Sequence, residues 1–142
     1  MAVAGQLTIT VIGGSKLKDT QTFGKQDPYC VLQLGDTHYR TRTHRDGGVN
    51  PIWNERFRFV AAGQSQLTVV VYNSNTLSSD SLIGAANVPL ASVARSGSEE
   101  VTAGLLDPRQ RMCGSVTMLM QFQPAVRQQQ PQAGGQQGQA VG

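Results

Sequence analysis

From Gly5 onward the chain alternates apolar and polar positions with a period of two, Leu7, Ile9 and Val11 being separated by Thr8 and Thr10. That is the pattern of a half-buried β-strand. Gly13 and Gly14 end the run, and the Asp27-Pro28 step marks a turn before a second strand, Tyr29 to Leu34, with Cys30, Leu32 and Leu34 on its inner face. Gly35-Asp36 predicts a hairpin turn into a third strand, His38 to His44. In it His38, Arg40, Arg42 and His44 share one side, and Tyr39, Thr41 and Thr43 the other. Phe57 and Phe59 alternate with Arg56 and Arg58 in a fourth strand. Leu67 to Tyr72, Leu82 to Val88 and Gly114 to Phe122 follow, Val101 to Leu105 is a weaker strand, and Leu90 to Arg95 has the length of one helical turn.

Short strands bounded by frequent turn residues predict an all-β fold, an eight-stranded antiparallel β-sandwich spanning residues 1–123. From 124 to 142 the composition shifts to glutamine and glycine. Few apolar side chains are left there to offset the entropy of ordering, so a disordered tail is expected.

Composition narrows the function. A chain of 142 residues with 39% hydrophobic content fits one core. No stretch approaches the roughly 20 apolar residues of a membrane span, and no leader, myristoylation or prenylation signal is present. A cytoplasmic protein that meets membranes only through its folded surface is expected. Cys30 and Cys113 are far apart and in no metal-ligand spacing, which predicts reduced structural thiols. The net charge of +3 biases the chain toward anionic partners but falls well short of a nucleic-acid binder, and no aromatic-plus-basic stripe for stacking bases is present. No nucleophile elbow, phosphate-cradling loop or paired-histidine motif supports catalysis, since Gly13-Gly14-Ser15-Lys16 lacks the spacing of a phosphate loop. An enzyme is not expected.

Three segments, in the right order, resemble the C2 domain family over most of residues 5–123: Leu17 to Tyr29 with its Asp27-Pro28-Tyr29 strand start, Asn50-Pro51-Ile52-Trp53-Asn54-Glu55, and Val70 to Asn75 continuing to Asp80-Ser81-Leu82-Ile83-Gly84. The layout is similar to small stand-alone C2 proteins. The middle segment reads as packing, with Trp53 feeding the core. The outer two correspond to loops that, in the family, hold Ca²⁺ with five carboxylates. Here Asp27 and Asp80 are kept, whereas Gln21, Asn73 and Asn75 stand at the other positions, with Asp19 two residues upstream of Gln21. Ca²⁺ affinity tracks the charged oxygens in the shell, so a weak or vestigial Ca²⁺ site is expected.

The resemblance implies two further routes to lipid. Apolar loop tips insert into membranes in the family, and Phe23 and Leu77 occupy those positions. A plainer reading folds each back on its own loop. A basic face binds acidic headgroups, and His38 and Arg40 match it, extended by Arg42 and His44, while the facing Val31 and Gln33 carry no charge. A solvated charged face is the alternative, and the pattern leaves open whether Arg56 and Arg58 share that surface. The expected function is a peripheral module docking on an acidic phospholipid surface, with a Ca²⁺-independent protein-interaction module as the alternative.

Overall fold

The computed structural model describes residues 3–126. Most of the expected tail therefore lies outside the described residues. β1 (Ala4–Ser15) buries Leu7, Ile9 and Val11 completely, as the alternation requires. β2 (Pro28–Leu34) and β3 (Thr37–Arg40) form a hairpin around Gly35, whose φ of 59° is the left-handed conformation that tight hairpin turns use. β4 (Ile52–Ala62), β5 (Gln66–Asn73) and β6 (Ser81–Pro89) follow, then a single short helix α1 (Ala91–Ser96), β7 (Ser98–Leu106) and β8 (Met112–Pro124). The weak seventh strand and the helical turn are both present.

The strands run in the order β3-β2-β5-β6-β7-β8-β1-β4, every neighbouring pair antiparallel. β6 and β7 share only the Ala85–Leu106 pairing. There the ladder folds over into two four-stranded layers. Cys30, Leu32, Val69, Val71 and Ile83 from one layer meet Leu7, Ile9, Val116, Met118 and Met120 from the other, each fully buried. The expected eight-stranded antiparallel sandwich is the observed fold.

Trp53 shows how the Asn-Pro-x-Trp segment positions the loops. Its ring is 4% exposed and its Nε1–H donates to the Pro28 carbonyl at 3.1 Å, tying the start of β4 to the start of β2. Asn50 Oδ1 accepts the Lys16 N–H at 3.0 Å, and Pro51 O accepts the Gly14 N–H at 2.9 Å. Three loop bases are thereby fixed to one another.

One predicted element is shorter than its pattern. The third strand stops at Arg40 instead of continuing to His44. Thr41 N–H still donates to Cys30 O at 2.8 Å, but the reciprocal bond goes from Cys30 N–H to the Thr41 hydroxyl at 2.9 Å instead of to a carbonyl. A side chain has taken the backbone's place. Thr41 turns inward to 1% exposure, and the chain leaves the ladder.

Candidate functional site at the loop end

The segments 16–27, 44–50 and 74–80 meet at one end of the sandwich, bound together by amide side chains. Gln26 is fully buried. Its Oε1 accepts the Thr20 N–H and hydroxyl, each at 3.1 Å, while its Nε2 donates to Lys18 O at 3.0 Å and Gly48 O at 3.1 Å. Asn73, also fully buried, accepts the Asp27 N–H on Oδ1 at 2.8 Å. Its Nδ2 donates to Gln21 Oε1 at 2.8 Å and Thr20 Oγ1 at 3.1 Å. Asn75 Nδ2 donates to Ser79 O at 2.8 Å and Ser81 Oγ at 2.9 Å, which folds the third loop on itself.

The two carboxylates kept at the metal positions, Asp27 and Asp80, are engaged as well. Asp27 accepts the Asp46 N–H at 2.8 Å and faces Arg45 Nη1 at 3.9 Å. Asp80 accepts the Tyr29 hydroxyl and, at 2.9 Å, the Asn75 N–H. The Tyr29 hydroxyl, helped by that N–H, holds the Asp80 carboxyl below its usual range. Burial, then the Asp80 bond, pushes the Tyr29 phenol up to about 12. Asp19 Oδ1 accepts the Gln21 N–H at 3.0 Å and so braces its own loop.

This donor set does not fit a hard divalent cation, which takes six to eight oxygens turned inward. Asn73 and Gln21 would each have to present an oxygen, yet Asn73 aims its N–H group at the Gln21 oxygen. Among the described residues no three His, Cys, Asp or Glu side chains cluster closely enough to hold a metal. The charges at this end balance: Lys16, Lys18, Lys25 and Arg45 against Asp19, Asp27, Asp46 and Asp80.

Phe23 and Leu77 both project from this end, 84% and 98% exposed. Neither folds back on its loop. The basic stripe is different, and the expectation that His38, Arg40, Arg42 and His44 line one strand face is corrected. Only His38 and Arg40 lie on β3, paired with Gln33 and Val31. Beyond Thr41 the chain has left the ladder: Arg42 Nε sits 3.8 Å from Glu55, and His44 Nδ1 accepts the Ile52 N–H at 2.9 Å. Arg40 carries its guanidinium 3.6 Å above the Tyr29 ring. Arg56 and Arg58 lie on the outer face of the other layer, so they do not share this surface.

Gln26, Thr20 and the Tyr29 hydroxyl carry the loop geometry, and nothing in the sequence pattern marks them for that role. A buried loop glutamine leaves no periodic signal. Tyr29 follows the Asp-Pro step, but only the register that places it beside Tyr72 in β5 brings its hydroxyl to Asp80.

An eight-stranded antiparallel sandwich that gathers three loops at one end, with two exposed apolar tips, has the form of a binding module. The sequence profile of the C2 domain matches residues 5–105. The chain is 37% identical over 111 residues to the 16 kDa phloem protein 1 of Arabidopsis thaliana, covering 74% of this chain and 70% of that protein. It is 26% identical over 138 residues to the calcium-dependent lipid-binding protein of the same plant, covering 89% of this chain but 26% of that protein's length. A solved C2 domain-containing protein from a putative elicitor-responsive gene superimposes with a TM-score of 0.76 at 22% identity, over 89% of this chain and 93% of that one. The chain belongs to the C2 domain family.

Proposed function

We propose that this chain is a non-catalytic, cytoplasmic C2 module that docks peripherally on acidic phospholipid membranes through its loop end, and does so without Ca²⁺. The observation that carries this reading is the Asn73–Gln21–Thr20 amide network, which braces the first and third loops from within. In a loop end rich in carboxylates a divalent ion must first cancel the repulsion between the loops and an anionic surface. Here amides replace the carboxylates and the remaining charges balance, so no such step is needed. Phe23 and Leu77 then supply the contact, each contributing about 1.5–3 kcal/mol on full burial in lipid. No helix among the described residues is long and apolar enough to cross a membrane.

Co-sedimentation with phosphatidylserine vesicles, in chelator and in millimolar Ca²⁺, tests this. Equal binding in both is expected, with most of it lost on replacing Phe23→Ser together with Leu77→Ser. Binding that appears only with Ca²⁺ would overturn the Ca²⁺-independent reading. Absence of binding in both conditions would favour the protein-interaction alternative.

A further inference from the structure

The outer face of the β7-β8-β1-β4 layer lies away from the loop end. There the edge strand β4 carries Arg56 and Arg58 on one side, both exposed. Strand geometry sets their Cα atoms about 6.8 Å apart. The register puts Thr8 beside Arg58 and Gln121 beside Thr8, with Gln6 and Gln123 in the adjacent row. With Gly97, these residues line a cleft of about 350 Å³. That is toward the low end of the roughly 300–1,000 Å³ of small-ligand pockets.

Apart from Phe122 and Gly97, the lining contains guanidinium, amide and hydroxyl groups, and it has no carboxylate. Neither arginine has an acidic partner among the described residues. Along the row of Arg56, the register runs through Thr10 and Leu119 before reaching Glu100, three strand spacings or about 14 Å away. Two guanidinium forks without a counter-ion, flanked by side chains able to donate further hydrogen bonds, match an anion with several oxygens and more than one charge. Arginine binds phosphate oxygens bidentately. A phosphomonoester carries about −1.5 to −2 charge near neutral pH, enough to engage both forks.

We infer that this cleft binds a phosphomonoester group, on a surface separate from the apolar tips and independent of their role. A soluble sugar phosphate and a phosphorylated lipid headgroup present the same chemistry. Calorimetric titration of the full chain with inositol trisphosphate tests the site, and sedimentation with vesicles containing phosphatidylinositol bisphosphate distinguishes the source. The wild type is expected to bind the soluble probe. Arg56→Gln with Arg58→Gln should weaken binding by about tenfold or more, and Arg56→Lys with Arg58→Lys should weaken it less, because charge is kept and the fork is lost. Arg109→Gln, far from the cleft, should bind as wild type, and thermal melts should show all variants folded. A vesicle interaction that needs the same arginine pair assigns the lipid headgroup, whereas soluble binding without one assigns a small phosphorylated ligand. No binding of the soluble probe by the wild type, or equal binding by the glutamine pair, would overturn the inference.

Discussion

At Asn73 a single functional-group change redirects a whole loop end. An aspartate there would offer two acceptor oxygens and no donor, whereas the amide accepts the Asp27 N–H and donates to Gln21 and Thr20. Replacing Gln21, Asn73 and Asn75 by aspartate removes those donors and brings like charges together in a partly buried site. The triple variant is therefore expected to melt below the wild type in chelator and to regain stability as Ca²⁺ is added, since a ligand that binds only the native state stabilises it as the logarithm of its concentration. Wild-type melting should not move with Ca²⁺. Scanning calorimetry at several Ca²⁺ concentrations checks both, and a Ca²⁺-dependent midpoint in the wild type would show that the amides rearrange into ligands. The thiols show the same local logic: Cys30 and Cys113 are both buried and free, and burial pushes the Cys30 thiol up to about 12. Cys30 is thereby kept from reactive thiolate at neutral pH.

For the elements, alternation made most of the sandwich legible. β1 and β8 follow directly from apolar residues at every second position, because a strand buried on one face must show that period, whereas β5 and β6 are legible as short runs dense in β-formers. The end of β3 was not legible. Thr41 and Thr43 continue the alternation, and nothing in a pattern of apolar and polar residues distinguishes a threonine on a strand face from one whose hydroxyl replaces a ladder carbonyl. The four-residue basic stripe failed for that reason. In the loops, the amides at the metal positions were readable from sequence, but their bonding to one another needed the side-chain geometry. Thr41→Val tests the account of β3, because it keeps the shape and removes the hydroxyl that accepts the Cys30 N–H and donates to Arg42 O at 2.9 Å. The stranded buried N–H should cost about 1–3 kcal/mol, read as a lowered denaturant midpoint with an unchanged slope, while Thr41→Ser should recover most of it. A valine variant as stable as the wild type would mean that the hydroxyl does not terminate the strand.

Over the whole molecule, basic side chains occupy opposite outer faces. His38 and Arg40 lie on the layer containing β3, and Arg56 and Arg58 on the layer containing β4, with the apolar tips at the end between them. A flat bilayer that receives Phe23 and Leu77 leans against one face at a time. The layers pack about 10 Å apart, already more than the Debye length of about 8 Å at physiological ionic strength, so the far pair is screened from the surface. Arg40 lies over Tyr29, whose hydroxyl reaches Asp80 at the loop end, which places the β3 pair nearer the tips. On phosphatidylserine vesicles, His38→Gln with Arg40→Gln should therefore weaken binding at low salt and flatten its salt dependence, the Arg40 guanidinium near the surface contributing about 1 kcal/mol. Arg56→Gln with Arg58→Gln should leave both unchanged on these vesicles, which carry no phosphomonoester. Sedimentation across a range of sodium chloride concentrations measures the two slopes. Equal flattening by both pairs would contradict docking through the loop end, because one planar surface would then have to reach both faces of the sandwich.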